Sequence, residues 1–168
     1  MALFHKLVTP DALPAYKKAI PILSPLSGKV LSLDTVPSKL FSERLFGEGV
    51  AIDPSGYQVF APFSGTVEQF PETASQLRIK ASNGLTMQIQ LGMDSHRMMG
   101  EGFKRKIKVG ESFSQGQVLL EFDLRKMKAQ LTCVLCPVTI LNSEKVRGIQ
   151  AHCYQVIAGE DKALTVYL

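Results

Sequence analysis

The sequence contains no tryptophan, three histidines and three cysteines in 168 residues. An odd cysteine count cannot close a full set of disulfides and fits a reducing compartment. Cys133 and Cys136 form a CxxC pair, but a structural zinc needs four ligands, and only His152 and Cys153 remain to complete one. A redox pair belongs at the start of a helix that follows a strand, whereas Pro137-Val-Thr-Ile-Leu141 reads as a strand placed after the pair. Buried, inert thiols are the expectation, since free cysteine packs as a small hydrophobe. Long apolar runs are missing too. The stretch from Val109 to Leu120 is interrupted by Glu111 and by polar residues, far from the roughly 18 to 20 apolar residues that span a bilayer. Met1 to Leu7 carries Lys6 and no apolar block ahead of a small-residue cleavage site, so no secretory signal is expected and the chain is placed in the cytoplasm.

What is present is an ordinary globular composition, 45% hydrophobic and 20% charged, long enough for one sizeable core. The net charge of +4 is uneven: Met1 to His96 holds 8 basic and 8 acidic residues, Arg97 to Arg147 10 basic and 5 acidic. The run Lys104-Arg105-Lys106-Ile107-Lys108 lacks the interleaved aromatics of a base-stacking platform, so no nucleic-acid partner is expected. Residues 1–19 stand apart as a flexible N-terminal segment. Leu3, Phe4, Leu7 and Val8 lie at helical spacing beside Lys6 before Pro10 and Pro14 break the pattern, which suits at most a weak membrane-surface contact by residues 1–9. Residues 20–168 form the folded domain.

The chain repeats itself. Ser24-Pro-Leu-Ser-Gly28-Lys-Val30 recurs as Ala61-Pro-Phe-Ser-Gly65-Thr-Val67, 37 positions on. Proline fixes φ and glycine permits a bend, so each copy reads as a corner feeding a short strand. A looser corner, Gly110 to Gly116, precedes a strand over Gln117–Phe122. The clearest element is a hairpin: Leu77, Ile79 and Ala81 alternate with polar residues, Asn83-Gly84 makes the turn, and Leu85, Met87, Ile89 and Leu91 alternate with Thr86, Gln88 and Gln90. On this parity Thr86, Gln88 and Gln90 point outward. Helical signals are confined to Ser38–Phe46, Arg125–Leu131 and a few turns over Ser143–Ile149. Together these predict an all-β protein, a flattened antiparallel β-sandwich or barrel with a few short helical turns.

Six blocks in order, Pro25-Leu-Ser-Gly28, Gly47-Glu-Gly49-Val-Ala-Ile52, Ala61-Pro62 with Gly65-Thr66-Val67, Leu91-Gly92-Met93-Asp94, Gly100-Glu-Gly-Phe-Lys104 and Glu121-Phe-Asp-Leu124, resemble the glucose-type IIA protein of the bacterial phosphoenolpyruvate:sugar phosphotransferase system; Pro137-Val-Thr-Ile-Leu-Asn142 continues the match. The likeness covers about residues 20–158. It implies an antiparallel β-sandwich, a carrier that takes a phosphoryl group from the protein HPr and passes it to a IIB domain, and an unphosphorylated form that docks on permeases and glycerol kinase.

That chemistry needs imidazole, a nucleophile near neutral pH whose phosphoramidate keeps a high transfer potential. By resemblance, the acceptor histidine corresponds to Gln90 and its partner histidine to Ser75, and no histidine lies between His5 and His96. An amide nitrogen is not a nucleophile, and a serine ester would trap the group. His96, six positions beyond Gln90, is the best candidate for a non-standard acceptor, with Ser75 behind it, which leaves enzymatic activity open. No cofactor and no metal are implied, because the same losses remove an intermolecular zinc site. Thr73 and Asp94 match the neighbours of the family's site, and Leu40, Phe41, Leu45 and Phe46 correspond to its apolar docking face; the alternative is that these four are core. Arg78, Gln88 and Ser38 depart from the family pattern. The expected role is a regulatory or docking protein in carbohydrate uptake that has lost carrier chemistry, with an active carrier working through His96 as the alternative. HPr, a IIB domain, and a permease or kinase are the partners implied.

Overall fold

Each copy of the proline and glycine corner launches a strand at its glycine. In the computed structural model, which describes residues 6–168, β1 (Ala19–Leu23) enters the first corner and β2 (Gly28–Leu31) leaves it. After β3 (Glu48–Pro54) and β4 (Gln58–Phe60), the second corner is left by β5 (Gly65–Gln69). The glycines are demanded by a close backbone approach: a Cβ on Gly28 would sit 2.0 Å from the carbonyl oxygen of Asp53, and one on Gly65 2.0 Å from that of Lys80. The Asn83-Gly84 turn joins β6 (Gln76–Ala81) to β7 (Thr86–Gln90) in a register that sets Gln76 opposite Gln90. The remaining strands are β8 (Phe103–Arg105), β9 (Ser112–Phe113), β10 (Val118–Phe122), β11 (Cys136–Ile140), β12 (Gly148–Ala151), β13 (Gln155–Val156) and β14 (Lys162–Tyr167).

These strands pair antiparallel into an eight-stranded sheet ordered β13-β2-β3-β11-β7-β6-β5-β9 and two three-stranded sheets, β1-β14-β12 and β4-β10-β8, the β-sandwich class expected. The core lies between them. Met87 and Ile89 of β7, Leu77 and Ile79 of β6, Val138 and Ile140 of β11 and Val50 and Ile52 of β3 share its inner face, all fully buried. A second, smaller cluster of Leu33, Val36, Phe41, Ala51 and Met93 packs apart from it.

Two sequence expectations need correction here. Gln88 does not point into solvent: it is 2% exposed, opposite both Arg78 on β6 and Thr139 on β11, and its Oε1 accepts a hydrogen bond from the Arg78 guanidinium at 3.0 Å. It sits mid-sheet, between β6 and β11, with the Arg78 side chain against it. The third helical stretch is a single 3-10 turn, Ser143–Lys145, because the chain returns at once to pair β12 with β14. The other two stretches give α1 (Lys39–Ser42) and α2 (Leu124–Gln130), the latter capped by Asp123 Oδ1, which accepts from the Lys126 N–H at 2.9 Å.

Of the N-terminal segment expected to be flexible, the first five positions, with Leu3 and Phe4, lie outside the described residues. Beyond them the chain is tied down. The Lys6 N–H donates to Glu48 Oε2 at 3.1 Å, Leu7 bridges Ile149, and the Lys17 N–H donates to the Leu168 carbonyl at 2.7 Å. Among the described residues no helix is long and apolar enough to cross a membrane.

Candidate functional site

The outer face of the β6–β7 hairpin ends at Gln76 and Gln90, and there a depression of about 300 Å³ opens, lined by Pro71, Thr73, Ser75, Gln76, Gln90, Ser95 and His96. The hairpin register sets its floor: the Leu91 N–H donates to the Ser75 carbonyl at 2.9 Å, which places position 75 opposite 91, one residue beyond the Gln76–Gln90 pair at the end of the ladder. Ser75 is buried and its Oγ lies 3.0 Å from Thr73 Oγ1. Gln90 Nε2 donates to the Gly92 carbonyl at 3.1 Å, so one of its amide protons is held within its own loop.

His96 comes into the depression on the 3-10 turn Ser95–Met98, whose two flanking residues, Asp94 and Met99, are left-handed at φ 58° and 53°. Ala74, between Thr73 and Ser75, is left-handed as well at φ 52°. Two of the four non-glycine residues with positive φ among those described, Ala74 and Asp94, are thus chain neighbours of residues that line this hollow. Such backbone costs on the order of 1 kcal/mol or more per residue and collects at functional sites. Ser95 adds a second anomaly, a hydroxyl 1% exposed with no hydrogen-bond partner.

Chemically the hollow is a set of hydroxyls and amides with one imidazole. Among the described residues no base is hydrogen-bonded to the Ser75 hydroxyl, whose side-chain partner is the hydroxyl of Thr73, so none of them activates it as a nucleophile. Among the described residues no group of three His, Cys, Asp or Glu side chains is placed to hold a metal ion.

The other sequence candidates divide. Thr73 lines the depression, whereas Asp94 is exposed and faces a separate small pocket with Arg97, Gln130 and Thr132. Leu40 and Leu45 are 48% and 56% exposed. Phe41 is not a surface residue: it is 2% exposed in the smaller cluster, its ring 5.5 Å from that of the half-buried Phe46. The helical spacing of α1 turns Leu40 out as it turns Phe41 in. Cys136 is buried, which pushes its thiol up to about 12, the reverse of an activated thiol. Cys133 is half-buried and Cys153 is exposed, so the expectation of three buried thiols holds for Cys136 alone.

Sequence reasoning overlooked Pro71, Gln76 and Ser95. Gln76 was recoverable by counting back from the Asn83-Gly84 turn, which fixes it opposite Gln90. The burial of Ser95 has no signal in the sequence.

Comparison with known proteins places this geometry. Residues 20–146 match the model of the family described as phosphoenolpyruvate-dependent sugar phosphotransferase system, EIIA 1. The chain is 32% identical over 150 residues to the PTS system glucose-specific EIIA component of Buchnera aphidicola, covering 89% of this chain and 93% of the relative. It is 31% identical over 147 residues to the protein of the same description in Haemophilus influenzae, covering 88% and 89%. In three dimensions it superposes on glucose permease IIA from Mycoplasma capricolum with a TM-score of 0.81 at 22% identity, covering 89% of this chain and 96% of that one, a likeness of fold.

Proposed function

The chain belongs to the EIIA type-1 family of the phosphoenolpyruvate-dependent sugar phosphotransferase system, and on that premise we propose that it is a glucose-type IIA protein without phosphoryl-carrier chemistry, acting by docking as a regulator of carbohydrate uptake in the cytoplasm. The pair Gln90 and Ser75 carries this reading. Where the family resemblance puts two imidazoles, the depression holds an amide engaged with Gly92 and a hydroxyl engaged with Thr73. Neither can accept and release a phosphoryl group at neutral pH. The protein then stays in one charge state, and a permease or kinase that binds unphosphorylated IIA meets a surface that phosphorylation does not switch off. HPr and a IIB domain remain binding partners without transfer.

A second reading has its own observation: His96 lines the same depression. In it, His96 takes the phosphoryl group from HPr in place of Gln90.

Mass spectrometry after incubation with phosphoenolpyruvate, enzyme I and HPr separates the two. The proposal expects an unchanged mass. A gain of about 80 Da that brief acid treatment removes supports the second reading, and one that survives acid identifies a serine ester. The double variant Ser75→His, Gln90→His supplies the positive control, with acid-labile phosphate expected only in the variant.

A further inference from the structure

Away from this depression, and sharing no residue with it, an open cleft of about 810 Å³ lies between the β3–β4 turn, β8, the end of β10 and α2. Its volume is in the range of small-molecule pockets. Its walls are aromatic: Tyr57, 63% exposed, Phe103, half-buried, and Phe122, buried in the core. Its rim carries three cations, Lys104, Arg125 and Lys128. Arg125 and Lys128 are three residues apart on α2 and so project from one face.

The acids at the cleft are already engaged, Glu121 with a further attraction from Lys104, while Arg125 and Lys128 on α2 are not. Glu121 Oε1 pairs with Lys106 at 2.8 Å, and Asp123 Oδ1 caps α2 through the Lys126 N–H at 2.9 Å. Among the described residues, Lys104, Arg125 and Lys128 form no ion pair within 4.0 Å. An exposed tyrosine ring is a stacking platform for a planar group, and a guanidinium with two ammonium groups suits a phosphate. The second oxygens of Glu121 and Asp123 can accept from hydroxyl or amino groups between the two ends. A fatty acyl chain would leave those carboxylates facing hydrocarbon, at a desolvation cost.

We propose that this cleft binds a nucleoside monophosphate, its base stacked on Tyr57 and its phosphate held by Lys104, Arg125 and Lys128. The inference is independent of the docking role proposed above and needs no residue of that site.

Isothermal titration of the full chain with AMP, adenosine and inorganic phosphate tests it, beside the variants Tyr57→Ala and Arg125→Ala with Lys128→Ala. All three side chains are exposed, so the variants should melt as the parent does. AMP is expected to bind in the millimolar range or tighter and better than either half-ligand, with each variant weakening it about tenfold. The proposal is overturned if AMP gives no binding at millimolar concentration, if inorganic phosphate binds as well as AMP, or if the variants bind AMP like the parent.

Discussion

On β7, Met87 and Ile89 face one way and Gln88 and Gln90 the other, and the two faces differ in how completely their needs are met. The inner face is apolar apart from Glu48. Each of its large side chains contributes about 1.5–3 kcal/mol through burial. The outer face is polar and incomplete: Gln88 Nε2, Arg78 Nε and Thr139 Oγ1 are shielded from water without a hydrogen-bond partner, as is Ser95 Oγ beside the depression. An unsatisfied buried donor costs about 1–3 kcal/mol. The inner face therefore holds the sandwich together, while the outer face buries polar groups that, among the described residues, are only partly paired.

The comparison is broken most severely by removing the one charge on the inner parity. Glu48, opposite Ile140 on β11, is fully buried and accepts from Arg44 Nε at 3.2 Å and from the Gly49 N–H at 3.3 Å. Glu48→Ala leaves the buried Arg44 guanidinium with the exposed Asp34 as its carboxylate partner and the Lys6 and Gly49 N–H groups without this acceptor, and should cost about 3–5 kcal/mol in a urea titration. Ile89→Ala, which empties part of the inner face, should cost about 2–5 kcal/mol by the same measurement and leave AMP titration unchanged. Thr139→Val sharpens the contrast, since it deletes an unpaired hydroxyl at constant volume. It should be neutral or stabilise by up to about 1 kcal/mol; a loss as large as that of Ile89→Ala would mean the outer face is as well packed as the inner.

A smaller, pH-dependent effect belongs to neither face. His152 Nε2 lies 2.8 Å from Thr165 Oγ1 beside β14, and burial, then the nearby Lys162 ammonium, hold its pKa below the usual imidazole value. The unfolded chain thus takes up this proton at a higher pH than the folded one. Its contribution is complete above about pH 6.5 and is lost as pH falls through that value towards the lower folded pKa. The denaturation midpoint should fall modestly over that window, and His152→Asn should flatten the trend.

Much of this was legible in the sequence for a physical reason. Period-two alternation and the Asn83-Gly84 turn report the pleat directly, so β6, β7 and their register follow from the residues. The repeated proline and glycine corners mark β2 and β5 because backbone proximity admits only glycine there. What alternation does not report is what covers the far side of a sheet. Gln88 reads as solvent-facing, and Phe41 as a candidate docking residue, because their burial comes from neighbours distant in sequence. The assignment of Ser75 and Gln90 to one site followed from the family resemblance, whereas the left-handed backbone at Ala74, Asp94 and Met99 has no glycine or asparagine to announce it.

The place of β7 in the eight-stranded sheet also sets a timescale. Flanked on both sides by paired strands, β6 and β11, its amides should exchange with deuterated solvent only through the largest openings of the molecule, while the turn carrying His96 opens locally. In the docking role proposed above, a partner at Gln90 would meet a surface that persists for as long as the native state does, with any adjustment on binding falling to the 95–98 turn: a preformed shape rather than one that folds around its target.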